Sequence, residues 1–337
     1  MKLKIDGFLL TLVATVVLAS ILPVRGAWAH PANIVTDIAI AVLFFLHGAK
    51  LSRQAVMDGL GAWRIHLSVL AATFVLFPVL GLIARAATAP WLNPAIGAGV
   101  LLLCLMPSTV QSSIAFTSLA RGNVPAAVCS ASASNLLGMF LTPLLASLLL
   151  SSSGGGFSWS ALVKIALQLL LPFVLGHLLR PRLLPWLERD KAILAKVDRS
   201  VILLVVYTAF SAAVVEGLWK RYSVSDLGWT LAIDAIILAL ALVATTLGAR
   251  ALGFSVADEV VVVFCGSKKS LASGVPMAGA LFPPAMVGPM ILPLMLFHQL
   301  QLMVCAVLAQ RYAAAADRRD AKALAVGGAQ PLAADLG

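Results

Sequence analysis

Charged residues are scarce in this chain. Of its 337 residues, 11% are charged and 61% are hydrophobic, whereas an ordinary soluble domain has about 25% and about 45–50%. This shortage of charge excludes a soluble enzyme, a disordered tail and a nucleic-acid-binding domain. A mean hydropathy of +1.00 requires many membrane spans, because a soluble body carried by one or two anchors would dilute the average. The sequence therefore predicts an integral multi-pass protein, which we expect in the plasma (inner) membrane.

Cysteine is also rare, and familiar catalytic motifs are missing. The four cysteines lie inside apolar runs without a CxxC spacing, which predicts small apolar core residues rather than metal ligands or disulfides. The sequence contains no P-loop, GxGxxG, HExxH or GxSxG motif and no acidic pair at metal spacing. We therefore expect no enzyme, no ATP-driven pump and no cofactor. The net charge of +10 is not clustered into a patch that would bind nucleic acid.

What the sequence does contain is long apolar runs. A helix needs about 20 mainly apolar residues to cross a hydrocarbon core about 30 Å thick, and continuous runs exclude the alternating strands of a barrel. The runs predict ten transmembrane helices, at Phe8–Val24, Ile34–Leu51, Ala62–Ala84, Pro94–Ala120, Val124–Leu150, Trp159–Leu179, Val201–Leu218, Leu227–Ala249, Val260–Phe282 and Val287–Ala309.

The first run has two interpretations. Lys2 and Lys4 precede an apolar core, and Ala27-Trp28-Ala29 resembles a signal-peptide cleavage site. Asp6 interrupts the basic segment, and the apolar core is long for a signal peptide. We favour a retained first helix.

Basic residues are distributed unevenly between the loops. With the amino terminus in the cytoplasm, 17 of the 24 Lys and Arg residues lie on the cytoplasmic side and four on the other. This asymmetry predicts that both termini are cytoplasmic. The stretch 180–199 contains six of these basic residues, and we expect it to be a solvated cytoplasmic loop.

A flexible, uncharged segment lies almost at the midpoint. Residues 151–156 read Ser-Ser-Ser-Gly-Gly-Gly and divide the ten runs five and five. Because five is odd, the second half starts on the opposite side of the membrane, which predicts an inverted repeat. We expect a first five-helix repeat at 1–150, a joint at 151–156, a second repeat at 157–312 and a cytoplasmic tail at 313–337.

The fourth and ninth runs are interrupted. Pro107 removes a backbone donor from the middle of the fourth run, and Gly266 and Pro276 interrupt the ninth. Interruptions in corresponding spans of two halves point to broken helices that cross at a transport site. The alternative is a pair of kinked helices whose Ser and Thr side chains pack against neighbours. We expect residues 107–113 and 266–273 to lie close together and to reach water.

Two lysines lie near the centre of the ninth run. A charge at mid-bilayer costs about 2.5–3.5 kcal/mol even on the lenient insertion scale, so Lys268 and Lys269 indicate function. The alternative is a shorter span from which they snorkel to an interface. Adjacent residues of a helix point about 100° apart, so we expect one of the two to face a cavity.

Polar residues of these and neighbouring runs complete the predicted site. Asn135, His298 and Gln299 could line a cavity or form interhelical hydrogen bonds, and the sequence leaves both open. The predicted substrate- or ion-binding residues are Pro107, Ser108, Thr109, Gln111, Ser112, Ser113, Asn135, Gly266, Ser267, Lys268, Lys269, Ser270, Ser273, His298 and Gln299.

Four segments together resemble the SBF-like branch of the bile acid:sodium symporter superfamily. They are Phe44-Phe45-Leu46-His47-Gly48 with Leu51-Ser52, Leu105-Met106-Pro107-Ser108-Thr109-Val110-Gln111-Ser112-Ser113, Phe264-Cys265-Gly266-Ser267-Lys268-Lys269-Ser270-Leu271-Ala272, and His298-Gln299-Leu300-Gln301. The resemblance implies an all-α polytopic membrane protein of ten helices in two inverted five-helix repeats. It also implies a panel domain, a core domain, and fourth and ninth helices that are broken and cross.

The chain departs from the bile-acid-type pattern at the ion site. The resemblance implies a Ser-Asn pair on the fourth helix and an acidic residue followed by Gln-Asn on the ninth. This sequence has Ser113-Ile114, Phe264 and Lys268-Lys269 at those positions. Sodium coupling and a bile-acid substrate are therefore not implied.

We expect a secondary active transporter, similar to a symporter, that moves a small organic anion by alternating access. The coupling ion would be H⁺ or Na⁺, and the lysines would pair with substrate or replace the sodium site by carrying a proton. A second possibility is a regulator or scaffold in the membrane that keeps the transporter fold without transporting. An intramembrane hydrolase that uses Ser267 or Ser270 with a lysine base has the residue types but no recognised motif.

Overall fold

The computed structural model describes residues 7–50, 60–150, 159–221 and 223–327, and every regular element in these ranges is helical. The predicted joint at 151–156 lies outside the described residues. Apart from short helical turns at Gly26–Trp28, Leu60–Ala62 and Leu218–Arg221, the helices are α1 (Gly7–Ile21), α2 (Ala29–Lys50), α3 (Trp63–Thr88), α4 (Pro94–Leu105), α5 (Gln111–Leu119), α6 (Val124–Leu150), α7 (Trp159–Arg189), α8 (Lys191–Val215), α9 (Val224–Ala251), α10 (Val256–Gly266), α11 (Leu271–Leu281) and α12 (Pro284–Gly327). A π-helical turn interrupts α3 at Ala72–Leu76.

Six of the described helices are long and apolar enough to cross a membrane. They are Gly26–Lys50, Trp63–Thr88, Val124–Leu150, Lys196–Val215, Ser225–Ala251 and Pro284–Arg319. Each coincides with one predicted run. The fourth predicted run falls on α4 and α5, and the ninth falls on α10 and α11, because each is interrupted. The first falls on α1 and the sixth on α7.

Large apolar side chains cover the outer surface of these helices. Along α9, Ile236, Leu240, Val243 and Leu247 are all exposed and recur every three to four residues, so they form one face. A monomeric soluble protein rarely exposes a continuous apolar face of this kind. The helix lengths and this surface together identify an integral multi-pass membrane protein.

The helices form two bundles. Helices α2, α7 and α8 contact one another and α1 packs against α8, while α3 to α6 form a second bundle with α9 to α12. Helices α2 and α7 cross closely because a Cβ atom on Gly48 would strike the backbone of Phe173, and one on Gly176 would strike the backbone of Phe45. Helix α8 joins the bundles by packing against α11 and α12.

The stretch 180–199 is helical, which corrects the predicted loop. Helix α7 continues to Arg189 and α8 begins at Lys191. Leu187 and Leu194 are buried against Leu46 of α2, and this packing extends both helices, while Arg182, Arg189 and Lys196 are exposed. The prediction of a loop was wrong because it relied on the number of charged residues in 180–199 and overlooked the apolar residues that pack against α2.

Candidate functional site

The first helix break separates α4 from α5. Helix α4 ends at Leu105, since Pro107 has no N–H with which to continue it. The freed groups find other partners. The hydroxyl of Thr142 donates to the Leu105 carbonyl at 2.7 Å, and the N–H of Ser108 donates to the Oγ of Ser134 at 3.1 Å. The break is therefore an ordered feature, held by side chains of α6, and not a frayed helix end.

The second break separates α10 from α11. Helix α10 ends at Gly266, and α11 begins with Ser270 as its N-cap, whose Oγ accepts the N–H of Ser273 at 3.1 Å. Gln301 of α12 spans the gap with its amide. Its Oε1 accepts the N–H of Lys269 at 2.8 Å, and its Nε2 donates to the Lys269 carbonyl at 2.9 Å. The buried amide thus replaces the missing helical hydrogen bonds.

The two breaks contact each other directly. The N–H of Ser270 donates to the Pro107 carbonyl at 2.9 Å. The hydroxyl of Ser113 donates to the Phe264 carbonyl at 3.0 Å. These bonds confirm the expectation that the two segments lie together.

Lys269 points into the protein interior. Its ammonium donates to the backbone carbonyls of Met106 at 2.8 Å, Cys104 at 2.9 Å and Thr73 at 3.0 Å. The ring centroid of Phe77 lies 4.1 Å from Nζ. The side chain is fully buried, so these contacts replace its hydration completely.

Lys268 points in another direction but is equally buried. Its ammonium donates to the Ser112 carbonyl at 2.9 Å and lies 3.9 Å from the centroid of the Phe116 ring and 5.3 Å from that of Phe264. Neither lysine is among the described residues that line the cavity below. The expectation that one ammonium faces a cavity is therefore corrected, because backbone carbonyls and aromatic rings bind both ammoniums inside.

A cavity of about 480 Å³ lies between the two bundles, within the range of ordinary small-molecule sites. The first residues of both half-helices line it, from Thr109 to Ser112 and from Ser270 to Ser273. Asn135 and His298 add polar groups to the same wall, and Asn135 accepts a hydrogen bond from the Ser273 hydroxyl at 2.8 Å. The bundle of α1, α2, α7 and α8 contributes His47, Lys50, Asp198, Arg199 and Phe173.

The electrostatics of this cavity favour an anion. The N-terminal ends of α5 and α11 both lie at its wall, and helix N-termini carry partial positive charge. Of the residues that the structure describes, Lys50, Asp198 and Arg199 are the charged ones on the wall. Lys50 and Asp198 form an ion pair at 2.7 Å, which leaves the charge of Arg199 in excess. Among the described residues, no group of three His, Cys, Asp or Glu side chains could hold a metal ion.

The predicted site residues divide into two groups. The first lines the cavity and consists of Thr109, Gln111, Ser112, Asn135, Ser270, Ser273 and His298. The second is buried in the breaks and their junction and consists of Pro107, Ser108, Ser113, Gly266, Ser267, Lys268 and Lys269. Gln299 is half-buried and lies outside the described cavity wall.

Sequence reasoning missed three residues that hold the breaks. Thr73 supplies a carbonyl to Lys269, Gln301 bridges the second break, and Thr142 caps α4. Only Gln301 gave a signal, as an amide inside an apolar run next to His298. A backbone carbonyl or a lone threonine in a helix carries no sequence pattern.

Broken helices around a polar cavity in a multi-pass helical protein are typical of secondary transporters. The family model of the SBF-like CPA transporter family matches residues 6–314. The chain therefore belongs to this family, which confirms the resemblance found from its motifs.

Relatives cover nearly the whole chain. The "Uncharacterized protein PA2026" of Pseudomonas aeruginosa is 60% identical over 95% of this chain and 96% of its own length. The "Putative symporter YfeH" of Escherichia coli K12 is 54% identical over 91% of this chain and 93% of its own length. The sodium/bile acid cotransporter 7 of Danio rerio is 27% identical over 91% and 93%, respectively.

Proposed function

We propose that this protein is a secondary active transporter that moves a small organic anion across the membrane by alternating access, coupled to H⁺ or Na⁺. The observation that carries the proposal is the cavity between the two bundles. Two half-helix N-termini lie at its wall, and among the described residues that line it positive charge exceeds negative charge by one. A cavity between two bundles can open to either side when one bundle rocks against the other.

The side chains on the wall have separate roles in this proposal. Hydroxyl and amide groups of Thr109, Gln111, Ser112 and Asn135 orient the anion. The N–H groups of the first turn of α11 and the charge of Arg199 attract it. The groups buried in the breaks, including both lysines, hold the two N-termini at the wall and do not touch substrate.

The proposed architecture is ten membrane-crossing segments in two inverted five-helix repeats, with both termini in the cytoplasm of a plasma membrane protein. Two features support it: corresponding segments of both halves are broken, and α1 and α2 share a bundle with α7 and α8. Reporter fusions after residue 337 and within 151–156 should lie on opposite sides of the membrane. Finding both reporters on one side would exclude the inverted repeat.

Binding is tested first, because a ligand of the native state raises thermal stability. The purified full chain is heated with a panel of organic carboxylates, sulfates and phosphates at several sodium concentrations and pH values. We expect at least one anion to raise Tm, and that anion to accumulate in proteoliposomes under an ion gradient.

A blocked cavity supplies the matched control. Ala272 is exposed on the cavity wall, and Ala115 is exposed on α5 and is not among the described residues that line the cavity. Ala272→Phe should abolish the anion-dependent rise in Tm, whereas Ala115→Phe should leave it unchanged. If anions bind but never accumulate in proteoliposomes, the protein is a regulator or scaffold with the transporter fold. Absence of any anion-dependent shift would contradict the anion site itself.

A further inference from the structure

Three backbone carbonyls converge on one point at the junction of α3, α4 and α11, and the sequence leaves each without its usual donor. In the π-helical turn of α3, the N–H of Phe77 donates to Ala72, and Pro78 has no N–H, so the Thr73 carbonyl is left over. The Cys104 carbonyl lacks a helical donor in the same way, because Pro107 has no N–H and the N–H of Ser108 donates to Ser134 instead.

The third carbonyl belongs to Met106, which follows the last residue of α4 in extended conformation. The three oxygens thus come from two helix irregularities that are distant in sequence. The C-terminal end of α4 adds partial negative charge at the same place. Carbonyl oxygens that face one another around a small space form the kind of site that replaces the hydration shell of a monovalent cation.

The ammonium of Lys269 occupies this site. Its three N–H groups match the three carbonyls at 2.8 to 3.0 Å, and Phe77 covers it with its ring face. Within the described parts of the chain, no carboxylate forms an ion pair with it. Lys268, one residue earlier, is equally buried but donates to a single carbonyl. It therefore serves as the control for the three-carbonyl site of Lys269.

We propose that the carbonyls of Thr73, Cys104 and Met106 form a binding site for a small monovalent cation, which Lys269 fills from within the chain. The tethered ammonium acts as a permanently bound cation that joins α3 and α4 to the second break. Removing the side chain empties the site and makes the fold dependent on a free cation, with ammonium and methylammonium preferred because they keep N–H donors. The proposal rests on these contacts and not on transport.

The test compares Lys269→Ala with Lys268→Ala in the purified full chain. Tm is measured in choline chloride, whose cation is too large for the site, and in sodium, potassium, ammonium and methylammonium chloride at constant ionic strength. Tm of Lys269→Ala should rise by about 5 °C at saturating ammonium or methylammonium. The wild type and Lys268→Ala should not respond. Equal Tm of Lys269→Ala in all salts, or an equal response of all three proteins, would overturn the proposal.

A second variant covers the case in which Lys269→Ala does not fold. Lys269→Met keeps the volume of the stem, carries no charge and leaves no space for an ion. We expect its Tm to lie below that of the wild type in every salt and to be insensitive to the cation, while Lys268→Met loses less. A Tm of Lys269→Met equal to that of the wild type would show that the carbonyls need no cation and would overturn the proposal.

Discussion

The two helix breaks meet in space but carry opposite polar groups. The first, between α4 and α5, offers backbone carbonyls, because Pro107 removes a donor and α4 ends there. The second, between α10 and α11, offers two ammoniums and a serine N–H. Each break satisfies the other, through Lys269 with Cys104 and Met106 and through Ser270 with Pro107. Two breaks at corresponding positions of the two halves therefore need not carry the same groups. Here one supplies hydrogen-bond acceptors and the other supplies the donors that bind them.

The largest expected effect comes from placing a negative charge in each break. Lys269→Glu sets a carboxylate against three carbonyls in a buried site, which should destabilise the fold by more than about 4 kcal/mol and leave little folded protein. Thr109→Glu puts the same charge in the first break at the cavity wall. This variant should fold, because its carboxylate reaches water, but lose anion binding.

Size-exclusion profiles and Tm measure the first effect, and anion-dependent Tm measures the second. A stable, monodisperse Lys269→Glu protein would contradict the assignment of the carbonyls to a cation. If the two variants behaved alike, the contrast between the breaks would have no energetic basis.

The positions of both breaks could be predicted from the sequence, but their internal contacts could not. Pro107 and Gly266 interrupt long apolar runs, which is a local and visible signal. The depth of Lys269 depends on the Thr73 carbonyl, which is free only because α3 contains a π-helical turn before Pro78. No hydropathy pattern shows a π-helical turn. The direction of a lysine side chain is likewise set by acceptors that are distant in sequence, so the argument from one helix alone wrongly expected one of the two lysines, without saying which, to face the cavity.

The next effect concerns how the second break is held. Gln301 is fully buried and makes one bond to the N–H and one to the carbonyl of Lys269. Gln301→Leu leaves both backbone groups without these partners, so we expect a loss of about 2–4 kcal/mol in the free energy of unfolding. Gln299→Leu, two residues away on the same helix and half-buried, is the control and should change stability little. Chemical unfolding measures the free energy of unfolding of both variants. An equal decrease in the two would show that Gln301 acts only through packing.

The smallest effect concerns the first break, where a hydroxyl replaces the amide. Thr142 is buried and donates to the Leu105 carbonyl at 2.7 Å. Thr142→Val keeps the shape of the side chain but leaves that carbonyl without its donor, which should cost about 1–2 kcal/mol. Thr117 on α5 is equally buried, yet its Oγ1 has no partner among the described residues. Thr117→Val therefore removes an unsatisfied polar atom and should be neutral or slightly stabilising. The difference in Tm between the two valine variants measures the capping bond, since shape, burial and chemistry of the change are matched. A Thr142→Val protein as stable as Thr117→Val would mean that the first break holds its shape through Pro107 alone.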